Sequence, residues 1–175
     1  MAMTPPLATA KSNNSITKLL TELEQLFCDN FVTYYKSHGY HFNVDGPMFA
    51  QDHALLEEIY GFLWAQHDML GEQIRQMDKP VPCSLKEILS ISDIVECDDP
   101  RKPSKEMFTW LNKDFDQLIE CAQCLYDDAD MNSYGGLATL VGDYIRDLSK
   151  LNWKVKATIG KSFKWVSIVT IICLP

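Results

Sequence analysis

The stretch from Tyr40 to Ile74, YHFNVDGPMFAQDHALLEEIYGFLWAQHDMLGEQI, sets three of the chain's four histidines and an acid pair inside an apolar helical pattern. His41, His53, Asp68 and Glu72 make a set of two imidazoles and two carboxylates, which suits iron and suits zinc or manganese less decisively. Any one histidine or carboxylate on a helix is ordinarily just solvated. Flanked by Phe42, Phe49, Leu56, Leu63, Trp64 and Leu70, however, the four together would be costly to bury unless something coordinated them.

Helix geometry then restricts how they can act. His53 and Asp68 are fifteen residues apart, ~22 Å along a straight helix, whereas a metal–ligand bond is about 2 Å long. They cannot hold the same ion. The same fifteen residues leave them only ~60° apart around the axis, so they share one broad face. Two copies of this helix lying antiparallel across a two-fold axis bring His53 of one chain opposite Asp68 and Glu72 of its mate, and the site then occurs twice. The midpoint falls near Tyr60 and Gly61, where the glycine permits close backbone approach. Asp68 and Glu72 are an i, i+4 pair and reach one ion together, while His41 folds in from the end of the preceding helix.

Around this stretch the chain reads as helices. Ile16, Leu19, Leu20, Leu23, Leu26 and Phe27 recur at steps of three and four, continuing through Phe31 and Tyr34 to about Phe42, with Asn14 or Ser15 as the cap. Asp45-Gly46-Pro47 interrupts the pattern and a second long helix runs to about Met77. Ser84-Leu85-Lys86-Glu87 matches a capping box that opens a short helix to about Ile91, and residues 93–103 form an acidic, proline-bounded crossover. Met107 to Leu125 define a third long helix, and Leu137 to Ile159 a fourth that closes at Gly160. The expected fold is all-α: a four-helix bundle over residues 15–160 with a short helix in the crossover between the second and third long helices. Residues 1–14 are expected to form a flexible N-terminal tail, or an arm docking on a neighbour, and residues 161–175 a C-terminal tail. The run from Trp165 to Leu174 is apolar but about half the ~20 residues that a spanning helix needs, so no membrane is expected as a partner.

The formal net charge of −8 opposes any general affinity for nucleic acid. The six cysteines are irregularly spaced, without a secretory signal, which points to reduced thiols in a cytoplasmic protein. Cys121 and Cys124 form a CxxC inside a helical pattern, and plain packing accounts for them better than redox chemistry does. His38 and His67 are expected to be surface or hydrogen-bonding residues rather than ligands.

The run His41-Phe42-Asn43-Val44-Asp45-Gly46, then His53 twelve residues after His41, then Asp68 and Glu72, resembles the signature of the Dps family of mini-ferritins at every spacing. Ser84 to Glu87 is similar to that family's short crossover helix, and Asn152-Trp153 to the tryptophan region of its last helix. The resemblance implies a ferritin-like bundle assembled into a homo-oligomeric shell, a dodecamer. It implies ferroxidase chemistry, Fe2+ being oxidised by hydrogen peroxide in preference to O2, with storage of the ferric product and protection against oxidative stress. His41 and His53 of one chain with Asp68 and Glu72 of another would bind the iron, with Glu57 supporting a second, weaker ion. Phe42 departs from the tryptophan that many members carry, and Gly135-Gly136-Leu137-Ala138-Thr139 from their Asp-x-x-Thr-x-Asp. An acidic ion-entry pore must then draw on Asp127, Asp128 or Asp130, for which a plain solvated turn is an equal account. Two competing functions are a DNA-compacting architectural protein with little iron role and a metal-free scaffold. Against DNA stands the scarcity of tail lysines, Lys11, Lys161 and Lys164; against the scaffold, the complete ligand set.

Overall fold

The computed structural model describes residues 7–99 and 101–161, which contain five helices and no strand. In chain order these are α1 (Leu7–Asn43), α2 (Phe49–Gln76), α3 (Leu85–Ile91), α4 (Ser104–Met131) and α5 (Gly135–Thr158). Helices α1 and α2 pack as one hairpin and α4 and α5 as another. Contacts of α1 with α4 and of α2 with α5 close the four-helix bundle, and α3 lies against α1 within the crossover. The expected all-α bundle is thus observed, with the short helix where the capping box placed it. Ser84 Oγ accepts from the Glu87 amide at 3.1 Å.

The first helix begins at Leu7 rather than Ser15. Leu, Ala and Lys at positions 7–11 are strong helix formers, so the helix continues upstream through Asn14 instead of being capped there. Residues 1–6 and the apolar run Trp165 to Leu174 lie outside the described residues. Gly46, at φ +104°, makes the turn between α1 and α2, and Pro47 falls two residues ahead of α2.

Three helices end in the same way. After α5 the Gly160 amide donates to Ala157 C=O at 3.1 Å and the Lys161 amide to Lys156 C=O at 2.8 Å, with Gly160 at φ +76°. Helices α2 and α4 repeat the pattern with Asp78 (φ 60°) and Ser133 (φ 65°) in the left-handed position. A serine there carries a Cβ clash that glycine avoids. Ser133→Gly is therefore expected to stabilise the fold by about 0.5–1 kcal/mol, read as a higher urea midpoint at unchanged slope.

The interior is apolar from Leu19 through Ile74 to Val155, with Tyr40, Tyr144, Phe108 and Phe115 among the largest fully buried side chains. A few buried polar groups fix its register. Asn30 on α1 donates to Leu63 C=O on α2 at 2.8 Å and accepts from Tyr144 Oη on α5 at 3.2 Å. Asp29 ties the crossover to α1 by accepting from Ser92 Oγ (2.7 Å) and the Asp93 amide (2.8 Å). Between α1 and α4, Lys36 Nζ meets Asp114 Oδ2 at 2.7 Å, both side chains almost fully buried. Burial pushes the Asp114 carboxyl above the usual carboxylate range, and the Lys36 charge opposes that rise.

Candidate metal centre

His41 leaves the last turn of α1 and His53 the first turns of α2, and the turn between the helices folds one ring onto the other. The centroids are 3.8 Å apart with planes inclined by 22°. Each ring is fixed through the other's backbone: His41 Nδ1 lies 3.1 Å from His53 C=O, and His53 Nδ1 lies 3.0 Å from His41 C=O. A carbonyl only accepts, so both Nδ1 atoms carry the proton and both Nε2 atoms keep a free lone pair. That is the tautomer in which an imidazole ligates a metal, held by the kind of backbone bond that orients metal-ligating histidines. Both residues are half-buried.

Asp68 and Glu72 are exposed, one turn apart on α2. They border a shallow depression with Phe27, His67, Gly71 and Val81. At Gly71 an added Cβ would stand 3.2 Å from Cε2 of Phe27, so glycine there lets α1 and α2 close up beneath the acid pair. Among the described residues, no three His, Cys, Asp or Glu of one chain converge on a point that could hold a metal ion. The structure thus keeps two candidate pairs apart, His41 with His53 and Asp68 with Glu72. Glu57 is exposed on α2, one turn after His53.

The three aspartates near the end of α4 do not act alike. Asp127 and Asp130 are exposed, and Asp127 accepts from Gln123 Nε2 at 2.9 Å. Asp128 turns back onto α1, where it pairs with Lys18 beside Glu22. The Lys18 hydrogen bond lowers the pKa of Asp128, whereas burial first and the Asp128 charge second raise that of Glu22. A raised folded-state pKa favours the protonated form, so ionised Glu22 costs stability near neutral pH and none below 4.5, the value for the unfolded chain. Glu22→Gln is expected to raise the melting temperature near neutral pH, and the gain should shrink as pH falls toward 4.5.

The spacing of the ligands did not disclose the rings around them. His38 stacks on Tyr60 (4.1 Å) and Phe42 (4.4 Å), and His67 on Phe27 (4.0 Å). Burial lowers the pKa of both imidazoles, with the His41 charge adding to the effect at His38. A signal was present: Phe27, Phe31, Tyr34, His38 and Phe42 on α1 recur at steps of three and four, as do Tyr60, Trp64 and His67 on α2.

A family model described as a ferritin-like domain matches residues 20–162. Antigen TpF1 of Treponema pallidum is 29% identical over 148 residues, covering 83% of this chain and 82% of that protein. The DNA protection during starvation protein of Helicobacter pylori is 27% identical over 138 residues, 79% of this chain and 96% of its own length. Among solved structures, a Dps protein from Vibrio cholerae O1, described as a member of a broad superfamily of ferritin-like diiron-carboxylate proteins, superposes with a TM-score of 0.80 at 28% identity. It covers 91% of this chain and 99% of its own. The TpF1 crystal structure superposes with a TM-score of 0.81 at 26% identity, over 91% and 98%.

Proposed function

Because the chain belongs to the ferritin-like domain family and has the fold of the Dps proteins, we propose that it is a ferroxidase and iron-storage protein whose centres are shared between two-fold-related chains. The observation that carries this reading is the division of the ligands. One chain presents two preset imidazoles and, ~22 Å along α2, two carboxylates, and neither pair suffices alone. An antiparallel mate completes both. The surface beside the half-sites suits such a mate: Phe42 is 71% exposed, Trp64 57%, Met48 53% and Phe49 47%. Large apolar side chains gathered on one face in this way mark a contact surface.

Fe2+ is the substrate. The Nε2 lone pairs of His41 and His53 bind the ferrous ion, and Asp68 and Glu72 of the mate supply hard oxygen donors that favour the ferric product, with Glu57 placed to assist a second, weaker ion. Hydrogen peroxide is the preferred oxidant, and a dodecameric shell stores the ferric oxide-hydroxide. Consuming ferrous ion and peroxide together removes the reactants that generate hydroxyl radical. Asp127 and Asp130 are the acids left facing solvent for an ion entrance. A reduced, cytoplasmic setting fits the five free cysteines among the described residues, and no described helix is long and apolar enough to cross a membrane.

The test loads the protein with Fe2+ anaerobically and then adds peroxide. Ferric absorbance should develop in the wild type, and its initial rate should fall at least ~100-fold in His53→Ala and in Asp68→Ala, more than the loss expected for a group that merely supports a ligand. Unchanged rates in both variants would overturn the reading.

A further inference from the structure

Rings of α1 and α2 form a continuous path between the two half-sites of one chain. Tyr60 stands edge-on to His41 at 5.0 Å, and His38 stacks on Tyr60 at 4.1 Å. Tyr34 follows, its ring 5.7 Å from that of His38 and its hydroxyl 3.3 Å from His38 Nδ1. Trp64 lies 5.2 Å beyond Tyr34, and one helical turn after Trp64 comes Asp68. The far end of this path, Trp64, is 57% exposed and lies on the face proposed above to meet the mate, so the path runs from the half-buried histidines out to that face. Three of the five rings, two phenols and an indole, are the side chains most easily oxidised by one electron among those present.

We propose that Tyr60, Tyr34 and Trp64 carry electrons between the two iron centres that each chain helps to build, a role that rests on the shared centres proposed above. Reducing one peroxide to two waters takes two electrons and two protons, while one ferrous ion gives a single electron. The ferrous ion beside Asp68 supplies the first. Trp64 supplies the second as the O–O bond breaks, and solvent protons complete two waters. The oxidised indole is refilled from Tyr34, Tyr34 from Tyr60 across His38, and Tyr60 from the ferrous ion held at His41 and His53. Each tyrosine releases its phenolic proton on oxidation and regains one on reduction, the Tyr34 proton having His38 Nδ1 within reach. The sum is two Fe2+, one H2O2 and two H+ giving two Fe3+ and two H2O. No one-electron product of peroxide is left over, although the two ions are far apart.

The experiment uses the assembled protein with one Fe2+ per centre and one H2O2 per two irons, frozen at intervals for electron paramagnetic resonance and run in parallel with a hydroxyl-radical spin trap. Wild type should show a transient aromatic radical and little trapped radical. Trp64→Phe and Tyr34→Phe keep a ring at each position; Trp64→Phe should lose the transient signal and raise the trapped yield several-fold, whereas Tyr34→Phe should leave an indole radical that outlasts the wild-type transient. An unchanged trapped yield in Trp64→Phe, or an indole radical in Tyr34→Phe no longer-lived than in wild type, overturns the relay. A second measurement needs no iron: flash oxidation of the metal-free protein by a photoexcited ruthenium complex. The indole radical should pass to tyrosine in wild type and persist in Tyr34→Phe, and equal decay in the two overturns the proposal. Failure of wild type to oxidise iron would count against the shared centres, and the flash result would still decide the relay.

Discussion

Mixed assemblies of His53→Ala and Asp68→Ala chains, each inert alone, are expected to regain about a quarter of the wild-type ferric oxidation rate, because a two-fold pair carries each site twice. In a pair made of one variant of each kind, one site lacks both the histidine and the aspartate. The other site draws its His53 from the Asp68→Ala chain and its Asp68 from the His53→Ala chain, and is intact. Random assembly makes half the pairs mixed, each with one working site of two, hence about a quarter overall. The measurement unfolds and co-refolds equal amounts of the two variants, then repeats the anaerobic loading and peroxide addition. A site contained within one chain predicts no recovery at any mixing ratio. A carboxylate pair reaching its own chain's histidines is already excluded by the distance along α2, so recovery would establish sharing directly.

Lys36→Ala is expected to cost about 3–5 kcal/mol of stability near neutral pH, the largest loss expected from any single ionic contact among the described residues. Lys36 and Asp114 meet at 2.7 Å with 2% and 7% of their side chains exposed. Removing the ammonium leaves a buried carboxylate whose pKa burial already raises. That raised value fixes the pH dependence. The protonated form is favoured in the fold, so the penalty is small below 3.8, the ordinary aspartate value, and grows as pH rises through the folded-state pKa. Chemical denaturation at several pH values checks both size and slope. The double variant Lys36→Met/Asp114→Val removes both charges with only a small change in total volume and should recover most of the loss, since well-packed apolar replacements of buried ion pairs are often neutral or stabilising. A deficit as large in the double variant as in Lys36→Ala would show that packing, not charge, is at stake.

Much of the molecule was legible in its sequence because helices are local objects. Apolar residues at steps of three and four set out α2, α4 and α5 to within a few residues, and Ser84 with Glu87 located α3 to the residue. The start of α1 lies at Leu7, upstream of the expected cap, since a cap-type residue such as Asn14 does not stop a helix when the residues before it also favour one. Among the three aspartates of α4, spacing could not separate Asp128 from its neighbours, because what distinguishes it is Lys18 on another helix.

The sequence by itself determined the bundle and the separation of the two candidate ligand pairs, the latter from nothing more than fifteen residues at the fixed rise of a helix. Tertiary structure decided what depends on two helices meeting in a particular register. The crossed Nδ1 bonds that free both Nε2 atoms join residues twelve apart across a turn, and the Lys36–Asp114 pair joins residues 78 apart. The ring path from His41 to Trp64 alternates between α1 and α2. Periodicity states which face of a helix is turned inward. Only packing fixes how far one helix slides along the next, and a slide of one turn would separate every one of these contacts.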